Sequence, residues 1–222
     1  MLALSVRLVR ADTLDQVLQR MDQAAQKFRS LSANIHKTVY TDSITNTDVE
    51  DGSFKMMKSG KDKFVLLAEF TGQDAYKLRL AGTQAEMYYP KAKTVQVYDT
   101  RKVTKSVDQY LFVGFGTRTA ELRKTYTVTL GGPETIGGVK TTRIDLTPNS
   151  GEATKLFNKI QLWIPDGDGS PIQEKIISGK TGKDYKLFQY SDRKIGTISD
   201  PPLPASDFDL NLPAGVMRRV MK

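Results

Sequence analysis

Cysteine is absent from the 222 residues, and histidine and tryptophan occur once each. Without thiols the chain has no disulfide, no thiolate metal ligand and no cysteine nucleophile. Its lone imidazole, His36, lacks the partners of a structural zinc site and, in a strand that alternates polar and apolar residues, reads as a surface or rim histidine. Long hydrophobic runs are missing too: nothing approaches the ~20 apolar residues a helix needs to cross a bilayer. Blocks of one charge are also lacking. The formal net charge is +8, yet Lys and Arg alternate with Asp and Glu, as in Lys55-Met56-Met57-Lys58 and Lys61-Asp62-Lys63. With no basic run and no aromatic RNA-binding signature, nucleic acid is not an expected partner. A loosely basic surface suits peripheral contact with anionic lipid headgroups, and ordinary solubilising charge explains it equally.

The motifs of catalysis are likewise missing. No Gly-x-Ser-x-Gly elbow occurs, and the paired glycines, including Gly114-Phe115-Gly116, lack the strand–helix setting of a phosphate loop. Asp166-Gly167-Asp168-Gly169 superficially matches the start of a calcium loop, but Ile177 stands where its terminal Glu belongs, which makes it a hairpin turn. No catalytic residue, cofactor or metal site is therefore expected, and the chain reads as a non-enzyme.

What is present begins with a helix. Leu14, Val17, Leu18, Met21, Ala24, Ala25, Phe28 and Leu31 form one helical stripe, and Thr13 with Gln16 makes a capping-box pattern that starts it near Asp12. Before it, residues 1–11 end in Val9-Arg10-Ala11 and resemble the tail of a secretory signal, although Arg7 interrupts the apolar core. The expectation is a signal-peptide remnant over 1–11, export to the periplasm, and a single domain over 12–222.

After Leu31 the apolar period shortens to two. Strands are expected around 33–40, 52–58, 64–70, 76–80, 85–89, 94–99, 126–130, 140–146, 160–164, 172–177 and 185–190. Gly131-Gly132, Gly137-Gly138 and Asp166 to Gly169 supply turns between the later strands. Helices interrupt the series at Val103 to Phe115 and Thr119 to Thr125. The stretch 199–214 is a proline-rich closure with one brief strand around Phe208. An amphipathic helix followed by a long antiparallel meander is economically folded by curving the sheet round the helix, which leaves a concave apolar face able to hold a ligand. Large flexible and aromatic residues on these strands, Met56, Met57 and Met87 above all, fit a cavity for variable acyl chains, and equally an ordinary core.

The helix 12–31 running into Ser32-Ala33-Asn34, the segment Gly52 to Lys58, the stretch Ala81-Gly82-Thr83-Gln84-Ala85-Glu86-Met87-Tyr88-Tyr89-Pro90 and the ending Phe208 to Val216 together resemble the LolA-like outer-membrane lipoprotein carrier family across nearly the whole chain. The resemblance implies an α+β fold: an unclosed antiparallel β-barrel, a half-barrel of about eleven strands wrapping an N-terminal amphipathic helix with short lid helices. It further implies a monomeric periplasmic carrier that takes acylated lipoproteins from an inner-membrane lipoprotein-releasing transporter to an outer-membrane receptor. A glycolipid or lipid transporter, or a lipoprotein-sensing regulatory module of the same fold, is the alternative, and a hydrolase is a more distant one. The cavity would be lined by Leu18, Met21 and Phe28 from the helix, and by Phe54, Met56, Phe64, Leu66, Met87, Tyr89, Phe112 and Trp163. Lys58, in Met57-Lys58-Ser59, occupies the place of the family's lid-latching arginine but lacks its planar fork of donors. A filled interior would count against carriage.

Overall fold

The computed structural model describes residues 12–60, 63–99 and 113–221; the expected signal remnant, Phe112 and most of the helix expected at 103–115 lie outside the described residues. Helix α1 spans Leu14–Lys27. Its start is the expected capping box: the Thr13 hydroxyl accepts from the Gln16 amide at 3.3 Å, and the Gln16 side chain accepts from the Thr13 amide at 2.8 Å. Two otherwise unpaired donors are thereby satisfied. The helix stops sooner than its apolar stripe. At Phe28 the backbone turns extended and strand β1, Phe28–Thr41, begins. Phe28 and Leu31 are both buried in the core although three residues apart on a strand, because the register slips between Phe28 and Ser30. That irregularity mimics helical spacing in the sequence.

From β1 the chain meanders through β2 (Asn46–Gly60), β3 (Lys63–Phe70), β4 (Tyr76–Ala81), β5 (Gln84–Tyr89) and β6 (Thr94–Asp99). A second helix, α2 (Thr119–Thr125), lies where the sequence places it. The meander resumes with β7 (Tyr126–Ile136) and β8 (Val139–Pro148), the one-turn helix α3 (Gly151–Thr154), β9 (Lys159–Pro165), β10 (Gln173–Ser178) and β11 (Asp184–Thr197), and ends in β12 (Met217–Val220). The twelve strands of the described residues form one sheet in the order β12-β6-β5-β4-β3-β2-β1-β11-β10-β9-β8-β7. Pairing of β1 with β11 joins the two meanders, and the end strands β12 and β7 do not pair with each other. The expected unclosed half-barrel is thus the architecture found.

Two details depart from expectation. Gly131-Gly132 is not a turn but lies inside β7, where the pairing with β8 slips between Leu130 and Gly132. A side chain at Gly131 would collide with the Arg143 guanidinium, so the glycine permits a close approach across the ladder. The expected strand around Phe208 is a 3₁₀ turn, Ala205–Phe208; the closing strand comes later, at β12, which pairs parallel to β6.

The sheet buries apolar side chains on both faces. Inside, α1 presents Val17, Leu18 and Met21 to residues from β1, β2, β3, β4, β8, β9, β10 and β11. Outside, Leu67, Tyr88, Val95 and Val97 are covered by Phe208 and Leu210 of the C-terminal stretch. That stretch is pinned where Arg79 Nε donates to the Phe208 carbonyl at 2.8 Å and Lys55 reaches Asp207 at 3.0 Å.

Candidate functional site: the inner face of the half-barrel

Because side chains alternate across a strand, the pairing register states which residues share the inner face. One row runs Leu31, Met56, Leu66, Leu80 across β1 to β4. The next runs Ala33, Phe54, Ala68, Leu78, Met87 out to β5. In the other direction Ile35 faces Tyr190 on β11, and Lys37, Phe188, Glu174, Leu162 and Ile144 line up from β1 to β8. The following row is Lys186, Ile176, Ile160, Leu146. The result is an apolar surface that continues across the junction of the two meanders.

Leu122 of α2 and Phe157 beyond α3 join the buried cluster on it, and two further elements cover it. The first is α1. The second is the turn Val113–Gly116, whose Phe115 is fully buried with its ring 5.2 Å from Tyr190 and 6.4 Å from Phe54. Its backbone lies close to the floor: a side chain at Gly114 would stand 3.0 Å from Leu162, and one at Gly116 would stand 2.7 Å from the Phe28 ring. Both glycines have positive φ, at 99° and 62°, so the turn needs their conformational range as well as their small size. Helix α2 follows and docks on α1 through Asp22, which accepts from the Thr119 amide at 2.7 Å and hydroxyl at 2.6 Å. The hairpin turn at 166–169 grips the other side of α1, since a side chain at Gly169 would collide with the Arg20 carbonyl. Arg193 holds that turn through Asp168 at 2.7 Å.

Most of the residues picked from the sequence come together here. Leu18, Met21, Phe28, Phe54, Met56 and Leu66 are buried in one inner cluster, with Phe64 and Met87 partly buried against it. Tyr89 continues the inner face of β5 beyond Met87, half-buried with its ring 6.3 Å from Tyr76. Trp163 is a correction. It pairs across the sheet with Arg143 and Gln173, and so lies on the face opposite Leu162 and Ile164. There its Nε1 donates to Glu134 at 2.6 Å, beside an Arg143–Asp145–Lys159 ion-pair network. An indole with a polar partner is at home on such a surface. Lys58 shares the inner face with Phe64 but is exposed near the end of β2, and among the described residues it makes no hydrogen bond or ion pair. His36 faces outward and meets Asp51 at 2.6 Å.

Polar groups on the inner face fall into two kinds. Near the hairpin end of β1 and β2, the Lys37 ammonium is held by Glu50 at 2.8 Å and the Tyr76 hydroxyl at 3.0 Å. Lys37 and Glu50 border an open cleft of about 610 Å³ that also includes Asp48, Asp74 and Lys186. The second kind is Glu174, whose side chain is wholly buried between Leu162 and Phe188. Among the described residues neither of its carboxyl oxygens has a hydrogen-bond partner. Burial pushes this carboxyl well above the ordinary glutamate range, and burial followed by the neighbouring Glu174 does the same to the Tyr190 hydroxyl. In the sequence Glu174 passes as one more polar strand residue. The signal that could have found it is the alternation Ile172, Glu174, Ile176, which puts an acid between two core positions.

No family model and no curated protein matches the chain. Among solved structures it is similar to an uncharacterised conserved protein from Thermus thermophilus, with a TM-score of 0.55 at 9% identity over 95% of this chain and 100% of the other. It is also similar to MucB, with a TM-score of 0.50 at 11% identity over 88% of this chain and 62% of that one, so it spans less than two thirds of MucB. A putative outer membrane lipoprotein-sorting protein domain from Vibrio parahaemolyticus aligns at a TM-score of 0.48 and 12% identity, over 87% and 95% of the two chains, too weakly to carry an argument. At these identities the likeness is one of fold.

Proposed function

We propose that the protein is a non-enzymatic periplasmic carrier that shelters the acyl chains of lipoproteins between the inner face of its sheet and a displaceable cover of α1 and the Val113–Gly116 turn, moving them from inner to outer membrane. The observation that carries this reading is the apolar inner surface that runs from Leu80 on β4 through Met56 and Leu31 to Ile144 on β8, interrupted by Lys37 and Glu174 and covered by short elements rather than by a second sheet. With its cover in place the interior is packed, against the standing cavity expected from the sequence, and under this reading cargo enters only as the cover moves. Acyl chains need such a shelter because each methylene exposed to water costs ~0.8 kcal/mol, or roughly 10 kcal/mol for a chain of ordinary length. The protein's own cover supplies the competition that allows release: cargo must displace native packing, which keeps net affinity moderate and lets a tighter receptor take over.

The partners under this reading are acylated lipoproteins or lipids, an inner-membrane transporter that loads the carrier and an outer-membrane receptor that unloads it. The likeness of fold to MucB supports a second reading, in which the same inner face reports on lipoproteins to a regulatory partner. Mass spectrometry of whatever co-purifies with the exported protein separates the two: acylated peptides are expected for a carrier, and a stoichiometric protein partner for a regulator. A protein that arrives without acyl species, and from which lipid probes displace no hydrophobic dye, overturns both.

A further inference from the structure

We propose that the Glu174 carboxylic acid is a ligand-binding group, donating its O–H to the carbonyl oxygen of an ester- or amide-linked acyl chain that takes the place of the Phe115 side chain inside the half-barrel. The inference rests on the carrier reading above and names the one polar contact made at depth.

A carboxyl with no partner in an apolar interior is an expense the fold does not need, since a leucine in that position would pack beside Leu162 and Phe188 without it. Its neighbours offer nothing in exchange. Along the chain it is flanked by buried Ile172, just before β10, and Ile176, and across the ladder by buried Leu162 and Phe188. The nearest cation in the same row, Lys37, stands beyond Phe188 and is already held by Glu50 and Tyr76. An unpaired acid in such surroundings keeps its proton and so offers one O–H donor and one carbonyl acceptor.

The space beside it has a removable occupant. Val113, Gly114 and Phe115 lie over this part of the floor: Gly114 approaches Leu162 and Pro171, and the Phe115 ring meets Tyr190 edge-on at 5.2 Å. Tyr190 is also the hydroxyl whose titration Glu174 influences, and its amide donates to the Ile172 carbonyl at 2.9 Å. A ligand that replaces the Phe115 ring meets Tyr190, beneath the turn that also covers Leu162, the residue paired with Glu174 across the ladder. The polar groups that an acyl chain carries to this depth are those of its linkage, an ester carbonyl or an amide, while its headgroup stays at the rim. A neutral acid matches both: its O–H donates to either carbonyl, and its own C=O accepts from an amide N–H.

The test uses dye displacement by a long-chain methyl ester, the alkane of equal length and the alkylamine of equal length, on the full chain. Wild type is expected to favour the ester over the alkane by roughly tenfold, the worth of one hydrogen bond. Glu174→Gln, which retains a donor, keeps that preference, and Glu174→Leu abolishes it while binding the alkane at least as tightly. Phe115→Ala, which shrinks the occupant, tightens binding of all three probes. An ester preference that survives in Glu174→Leu overturns the inference and leaves the carrier reading standing, as does a wild-type preference for the amine, which would mark a carboxylate rather than an acid. Failure of wild type to bind any of the probes overturns the carrier reading, and this inference with it.

Discussion

The two meanders differ in their outer faces: only the first carries a roofed apolar cluster there. On β3, β5 and β6 the outer face carries an apolar patch, Leu67, Tyr88, Val95 and Val97, roofed by Phe208 and Leu210, beside a buried Glu86 paired with Arg79 and Arg218. On β7, β8 and β9 it is ionic: Arg143 joins Glu134 at 2.5 Å and Asp145 at 3.0 Å, Asp145 also takes Lys159 and Gln161, and Trp163 donates to Glu134. The inner faces do not differ in this way. Phe54, Leu66 and Leu78 on one side meet Ile144, Leu146, Ile160 and Leu162 on the other in a single cluster. A side of the sheet that can be either oily or charged is under local constraints, whereas the side whose apolar cluster spans both meanders, Lys37, Glu174 and Lys186 apart, answers to something common to both halves. A core for α1 is such a common demand, and shelter for an acyl chain would be a second under the proposed carrier reading.

The sharpest way to break this division is to empty one buried ring from each face. Phe54→Ala and Phe208→Ala each remove a fully buried ring, and each is expected to lower unfolding stability by about 3–5 kcal/mol in urea titrations. Only Phe54→Ala should alter affinity for a lipid probe. Equal changes in probe binding for both variants would mean that the outer roof, not the inner face, governs the ligand. A smaller effect checks the ionic side. Trp163→Phe leaves Glu134 without its indole donor and should cost about 1.5–3 kcal/mol, with probe affinity unchanged. Loss of probe binding in that variant would return Trp163 to the inner surface, where the sequence alone placed it.

How far the sequence could be read follows from the same contrast. The capping box at Thr13 and the helix at Thr119 to Thr125 are local signals, and both are where they were expected. The run Phe64-Val65-Leu66-Leu67 reads as apolar on both faces because both faces are covered. Trp163 could not be assigned to a face from its own type, since an aromatic side chain with a polar tip suits either; only the register with Arg143 decides it. Phe28 and Leu31 extended the helical stripe because a slip in strand pairing imitates a spacing of three. The later course of the chain past Phe208 escaped notice because β12, Met-Arg-Arg-Val, is exposed throughout and carries no alternation of burial. Glu174 was hidden by its charge.

Glu174 also supplies the most delicate test of the comparison, because an ionisable group on the inner face should behave unlike the paired acids outside. Asp145, on the outer face, has Arg143 and Lys159 as partners; Glu174 faces Phe188 on β11, with Tyr190, whose hydroxyl is itself pushed up by burial, at the next inner position of that strand and Lys37 on β1 and Lys186 on β11 in adjoining positions of the inner face. Its folded-state pKa is raised well above the ordinary 4.5. Across the interval between those values the folded protein holds a proton that the unfolded chain has released, so stability falls as pH rises through it. Below 4.5 both states are protonated and this contribution to the slope vanishes. Glu174→Leu removes it altogether, together with an unsatisfied buried acid that costs about 1–3 kcal/mol. The variant should therefore melt higher than wild type at neutral pH, with the gap narrowing as the solution is acidified towards 4.5. A gap that widens on acidification would show that Glu174 is ionised in the folded protein and held by a charge-assisted partner, and the inner face would then be no more uniformly apolar than the outer one.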